Sequence, residues 1–245
     1  MPELSYIDVY YSIHGFQEED LRGKTAVVID VLRASSSIVT ALSRGAKRII
    51  PVADMEEAVK IASPMDSRDY LLCGEKDGNK IEGYHLGNSP LEYVPDVIGN
   101  KTLIFNTTNG TKAIRKASLA NQVYVGAFLN QQSILNAINE HDDEVVLICS
   151  GWRGRLSLED ALFAGSLVHH LSNGVMSDQL KDSAKIAFGL FERFGQDLEK
   201  TIGESDHAKR LAKLVPEGDI PFCCKVDEFD TLPAMKDGIL TDING

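Results

Sequence analysis

The chain has 245 residues, 43% of them apolar and 25% charged, ordinary values for a globular chain that buries a core in one large domain or two small lobes. Lys and Arg total 25 against 36 Asp and Glu, a formal charge of −11. That balance argues against nucleic acid or an anionic membrane surface as partner. An anionic small molecule stays open, because a few local cations and backbone amides outweigh a distant negative surface.

Strand and helix patterns alternate through residue 171. Residues 25–32 (TAVVIDVL) read as a buried strand, 34–44 as a helix closed by Gly45, and 48–52 as a strand. Asp54 caps a helix over 55–62, and 70–74 is the next strand. A stretch rich in Gly, Asn and Pro fills 75–100. Strands follow at 102–106, 122–126 and 144–150, with helices from Gly110, over 131–139 and over 158–171. Apolar strands separated by helices predict an α/β fold, a largely parallel sheet flanked by helices. Beyond 171 come helical stretches at 180–194, 197–202 and 206–214, then two weak strand-like runs at 220–226 and 228–235. The expected organisation is a main α/β lobe over 1–171 and a smaller α-rich lobe over 172–245 that packs on it and forms a cleft.

Cys73, Cys149, Cys223 and Cys224 contain no CxxC pair and no zinc pattern. The N-terminal MPELSYIDVYYS lacks a basic region followed by an apolar one, and no apolar run approaches the roughly 20 residues that span a bilayer. A cytoplasmic setting is expected.

In open α/β sheets ligands sit beyond the carboxyl ends of the strands. Five segments fall there: 30–37, 73–90, 106–111, 126–130 and 150–160. Four of them hold the unusual chemistry. In 30–37 (DVLRASSS), Asp30 suits a metal or a nucleophilic role, Arg33 offers a planar fork for phosphate or sulfonate, and Ser35–Ser37 open a helix whose amides favour an anion. The plain alternative makes Asp30 a turn residue and the serines caps. In 106–111 (NTTNGT), Gly110 admits close backbone approach and the threonines form an anion nest, or merely an Asn-Gly turn with a cap. Neither a Walker nor a GxGxxG pattern is present. In 149–160 (CSGWRGRLSLED), Cys149 and Arg155 match the bare spacing of cysteine-dependent phosphatases, a weak signal. There Glu159 and Asp160 are functional carboxylates or cap residues, and Trp152 lines a pocket mouth or packs. In 73–90, Glu75, Asn88 and Ser89 are plausible contacts, whereas His85 reads better as a solvated loop histidine. His14, His141, His169 and His170 show no ligand spacing and read as surface residues. Clustered carboxylates beside phosphate-binding groups suggest Mg²⁺, and two anion cradles suggest a substrate with two anionic ends.

VIDVLRASSSIVTAL, the Gly-Glu pair at 74–75, GNSP at 87–90, NTTNGT and CSGWRGRLSLEDALFAG, in this order and spacing, resemble the 2-phosphosulfolactate phosphatase family. The resemblance is close over about residues 5–171 and looser beyond. It implies an α/β fold with two lobes around a cleft and a Mg²⁺-dependent hydrolysis of 2-phospho-3-sulfolactate to 3-sulfolactate and phosphate. In methanogens that reaction feeds coenzyme M synthesis. The resemblance implies Asp30, Glu75 and Glu159 around the metal, and Asp30, Arg33, Arg155 and Asp160 as catalytic groups. Ser35, Ser36, Asn88, Thr107, Asn109, Gly110, Thr111 and Gly151 would surround the substrate. The attacking group stays open between metal-bound water and an enzyme nucleophile, a carboxylate or Cys149. The metal requirement weighs against Cys149, and Asp30-Val-Leu-Arg33 lacks the second Asp of haloacid-dehalogenase phosphatases. Where the family usually has Gly after the histidine of its C-terminal segment, this chain has Ala208 after His207; a Gly needing positive φ would require a different local loop. The implied partner is a small phosphorylated sulfonate. A homodimer is compatible with the sequence, which does not fix the number of copies. Two other readings share the scaffold: a phosphatase of another small phosphorylated carboxylic acid, and a non-catalytic phospho-ligand sensor.

Overall fold

A computed structural model describes residues 6–245; the first five positions of the N-terminal reading lie outside the described residues. Runs of β-branched residues form the strands, and the segments between them close into helices. The first half of the chain gives β1 (Ile7–Tyr10), β2 (Lys24–Ile29), α1 (Ala34–Ser43), β3 (Arg48–Pro51), α2 (Met55–Ala62), β4 (Tyr70–Lys76), β5 (Asn79–Lys80), α3 (Pro95–Ile98), β6 (Thr102–Asn106) and α4 (Gly110–Lys116). The second half gives β7 (Gln122–Gly126), α5 (Gln131–Asn139), β8 (Glu144–Cys149), α6 (Leu158–Leu171), α7 (Asp182–Phe194), α8 (Leu198–Gly203), α9 (Asp206–Leu211), α10 (Asp219–Cys223), β9 (Pro233–Lys236) and β10 (Ile239–Asp242). Asp54 caps α2 as expected, its side chain accepting from the Glu57 amide. No helix of the described residues is long and apolar enough to cross a membrane.

The strands form one mixed sheet in the order β1-β8-β2-β7-β9-β10-β3-β6-β4-β5. β1, β8, β2 and β7 run parallel, and so do β3, β6 and β4. The β9–β10 hairpin sits between these two blocks and pairs antiparallel with both β7 and β3. Three antiparallel steps therefore separate the blocks, which run in opposite directions.

The side chains show how the opposed blocks meet. Alternate residues of β2 point to opposite faces, as the two-residue period requires: Val27 and Ile29 join a core with α5, α6 and α7, while Ala26 and Val28 join a second core with α1 and α4. That second core also takes Ile49 of β3, Leu71 and Cys73 of β4, and Leu103 and Phe105 of β6. The sheet thus curls around α1 and α4. Every residue of α1 from Ala34 to Leu42 is buried.

Residues 172–245 contribute their closing hairpin to the middle of the sheet. The strand expected at 220–226 is instead the helix α10; Pro221 falls in its first turn, where a missing N–H costs nothing. The run expected at 228–235 becomes a strand only at Pro233. It turns through Asp237 and Gly238, both at positive φ, the Asp-Gly signature of a tight hairpin. β1, absent from the expected elements, extends the first block beside β8.

Candidate active site

The carboxyl ends of β2 and β8 from one block and of β4 and β6 from the other line one cavity of about 220 Å³. The curl of the sheet is what brings these ends together. Asp30, Arg33, Glu75, Asn88, Asn109, Gly151, Glu159 and Asp160 all face this cavity. Thr108, Trp152, Arg153, Ser157, His207 and Arg210 complete most of its wall.

Asp30 follows the end of β2, and its Oδ1 accepts from the Ala34 amide at 3.3 Å. Burial pushes its pKa from 3.8 up to about 6; the nearby His207 opposes the shift and the Glu75 charge adds to it. Asp160 lies in the first turn of α6 and is buried. Its Oδ1 accepts from the Val31 amide at 2.9 Å, and its Oδ2 accepts from the Gly151 amide at 3.2 Å and the Ser150 hydroxyl at 3.3 Å. Asp160 thereby fastens the turn after β2 to the turn after β8. Burial, the Asp30 charge and the Glu159 charge raise its pKa well above the ordinary carboxylate value.

Glu159 is also buried. Its Oε1 pairs with His207 Nδ1 at 2.6 Å, whereas Oε2 has no hydrogen-bond partner among the described residues. The imidazole stacks on Trp152 with ring centres 5.1 Å apart, and the Arg153 guanidinium lies over the same indole, 4.8 Å from its centre. His207 therefore belongs to the site. Ala208 sits inside α9, its amide donating to Ser205 Oγ at 3.0 Å, so no positive φ is needed there.

The turn after β8 decides which arginine enters. Trp152 and Arg155 exchange backbone hydrogen bonds at 2.9 and 3.0 Å. Arg153 and Gly154 between them both have positive φ, which makes a two-residue hairpin. Arg153 lines the cavity, while Arg155 lines only an adjoining groove that shares Arg153, Glu159 and His207 with it. Of the two arginines of this turn, Arg153 is the one on the cavity wall. Gly151 precedes this turn at φ +71, and a Cβ there would stand 2.3 Å from the Arg155 carbonyl oxygen.

Several expected contacts hold hydrogen bonds within the scaffold. Ser35 Oγ accepts from the Asp30 amide, Ser36 Oγ donates to Val31 O, and neither residue lines the cavity. A helix buried on all sides satisfies its hydroxyls internally. Thr107 and Thr111 bond each other, each hydroxyl accepting from the other's amide at 3.0–3.2 Å. Gly110 packs against α1 rather than facing the cavity: a Cβ there would meet Ala34 Cβ at 2.4 Å and Asp30 Oδ2 at 2.7 Å. Glu75 does reach the wall. Its carboxylate already accepts from the Gly78 amide at 2.6 Å, the Thr108 amide at 2.7 Å and the Thr108 hydroxyl at 3.1 Å. Cys149 is exposed to neither cavity nor solvent; it lies in the apolar core, where burial pushes its thiol well above its ordinary pKa. His85 accepts from the Leu72 amide and stays outside the cavity.

The donor set fits a divalent cation. Asp30 and Asp160 hold like charges in a buried space, and Glu159 Oε2 lacks a partner, three costs that a cation would relieve. Among the described residues no group of three His, Cys, Asp or Glu side chains could hold a metal by itself. Mg²⁺ does not need such a cage, since it is held by one or two carboxylates, waters and phosphate oxygens of the substrate.

The model of the family described as 2-phosphosulpholactate phosphatase matches residues 10–238. A "Probable 2-phosphosulfolactate phosphatase" from Caldanaerobacter subterraneus subsp. tengcongensis is 38% identical over 235 residues, covering 96% of this chain and 97% of that one. Proteins of the same name from Thermotoga maritima and Clostridium acetobutylicum are 43% identical over 216 residues and 37% over 232, covering 88% and 95% of this chain and 91% and 98% of theirs.

Proposed function

The chain belongs to the 2-phosphosulfolactate phosphatase family, and from that membership we propose that it hydrolyses 2-phospho-3-sulfolactate to 3-sulfolactate and phosphate with Mg²⁺ as cofactor. One observation carries the reading beyond the family name. The small cavity sets the carboxylates of Asp30, Glu75, Asp77, Glu159 and Asp160 against the guanidiniums of Arg33, Arg153 and Arg210. Arginines in that number suit a ligand with several anionic groups, yet the carboxylates outnumber them. A cation entering with the substrate resolves the mismatch.

One or two of the carboxylates of Asp30, Asp160 and Glu159 would hold Mg²⁺ together with water and phosphate oxygens of the substrate. When bound, the ion supplies charge neutralisation on the phosphoryl oxygens and an acidified water. Arg33 and Arg153 bind oxygens of the transferring group, where charge spreads in the transition state. Arg210, fixed by its bond to Asp77 O at 2.9 Å, serves the other anionic groups of the substrate. Asn88 and Asn109 orient it, Asn109 also tying the β6 side of the cavity to Gly151 O at 3.2 Å. With Nδ1 of His207 engaged by Glu159, Nε2 is the nitrogen left to protonate the departing C2 oxygen.

The test is phosphate release from 2-phospho-3-sulfolactate with Mg²⁺ and with EDTA, beside phospholactate and p-nitrophenyl phosphate. Fast, EDTA-sensitive release selective for the sulfonate is expected. Equal rates on phospholactate would shift the reading to phosphorylated carboxylic acids, and saturable binding without release from any compound would point to a sensor.

A further inference from the structure

Arg33 enters the cavity wall from the turn between β2 and α1 and is only 4% exposed. Nothing on its own segment holds the guanidinium. Its Nη1 donates to Asp219 Oδ2 at 2.7 Å, and its Nη2 donates to Gly78 O at 3.2 Å. Asp219, in α10, is fully buried and does not line the cavity. Its second oxygen accepts from Ser89 Oγ at 2.5 Å. Both oxygens are therefore committed, and no ligand in the cavity reaches them.

A buried ion pair is a weak device for stability, since apolar side chains of the same volume do as well. This pair has a different geometry from a purely structural one. One partner is sealed in protein while the other borders the cavity with donors to spare, because a guanidinium carries five N–H groups. A charged side chain locked before substrate arrives costs no reorganisation during the reaction. The lock draws on three distant parts of the chain: α10, the loop at Ser89 and the turn at Gly78.

We propose that Asp219 is a positioning residue that fixes the Arg33 guanidinium for phosphoryl transfer, acting through Arg33 and touching no reacting atom. The role of Arg33 rests on the phosphatase reading above; the geometry of the pair does not.

The experiment compares Asp219→Asn, Arg33→Ala and the double variant with the native enzyme, each checked for folding by near-ultraviolet circular dichroism. Asp219→Asn is expected to lose about 10²-fold in kcat, the scale of a misplaced catalytic group, with KM changed less than about threefold. In the Arg33→Ala background the same substitution should cost nothing further. Losses that multiply across the two sites, or an Asp219→Asn enzyme within about twofold of native, would overturn the proposal. Should Asp219→Asn not fold, Ser89→Ala keeps the charge and frees only Oδ1. It should lower kcat in the native background and leave Arg33→Ala unchanged; a loss in both would overturn the proposal. A native protein that hydrolyses no phosphoester would refute the phosphatase reading alone. Binding of inorganic phosphate by calorimetry would then test the pair, with affinity lost in both single variants and no further in the double; an Asp219→Asn protein that binds phosphate as the native one does would overturn it.

Discussion

Asp30→Asn should make the protein more stable at neutral pH while ending its turnover. In the unfolded chain Asp30 titrates near 3.8, and in the folded protein burial moves it to about 6. Below 3.8 the carboxyl is neutral in both states and costs nothing. Between these values the unfolded chain releases its proton first, so the folded state holds more protons and stability falls as pH rises. Above about 6 both states are ionised and the folded protein carries the whole cost. At ~1.4 kcal/mol per pKa unit, the move from 3.8 to about 6 amounts to about 3 kcal/mol. Asparagine keeps the shape and an oxygen for the Ala34 amide, removes the charge, and relieves Asp160, whose pKa Asp30 helps to raise. Urea unfolding followed by the single tryptophan, in EDTA from pH 4 to pH 8, measures the difference. Asp30→Asn should exceed native by about 3 kcal/mol at pH 8, with the gap closing toward pH 4. Adding Mg²⁺ should stabilise the native protein by mass action and leave the variant unmoved. A variant no more stable than native at pH 8, or a gap that ignores pH, would refute the reasoning.

Cys149→Ser should keep activity per folded molecule within about threefold of native, at about 1–3 kcal/mol of stability for a hydroxyl buried among apolar groups. A loss of ~10³-fold in folded protein, about 4 kcal/mol of transition-state stabilisation, would restore a thiolate mechanism. Arg153→Ala should lower kcat/KM by ~10²-fold, the cost of a lost charge-stabilising donor, whereas Arg155→Ala, exposed outside the cavity, should leave it nearly unchanged; the reverse ranking in steady-state assays would mean that the turn places Arg155 on the substrate. Gly110→Ala forces a Cβ against Ala34 and Asp30. It should cost about 1–3 kcal/mol in thermal unfolding and depress kcat, and an unchanged Tm with native kcat would show that the α1–α4 contact yields freely.

Most elements between residues 24 and 171 were legible because buried parallel strands read as unbroken apolar runs, and Asp54 marks the start of α2 with its cap. The helix 158–171 has the expected bounds. The rule that ligands gather at strand carboxyl ends also found most of the cavity wall. What spacing alone could not resolve was of another kind. A two-residue turn exchanges inside for outside, so Arg153 and Arg155 could not be told apart by spacing. Ser35, Ser36, Thr107 and Thr111 look like ligand groups, and in the fold their hydroxyls bond backbone. The partner of Arg33 lies 186 positions away, and no local pattern announces it. In 220–226 a short apolar run left strand and helix undecided, while the Asp237-Gly238 signal for the closing hairpin was present in the sequence.

The hairpin of β9 and β10 has a temporal meaning as well as a spatial one. The chemical groups of the cavity come mainly from residues 30 to 160, yet the strands that join the two halves of the sheet are 233–236 and 239–242. A growing polypeptide therefore finishes both blocks before the piece that unites them exists, and pairing across such sequence distance is slow. During synthesis the acids and arginines of the cavity are already present but not yet assembled around it. Catalytic competence then arrives in a single late event, when one short hairpin docks.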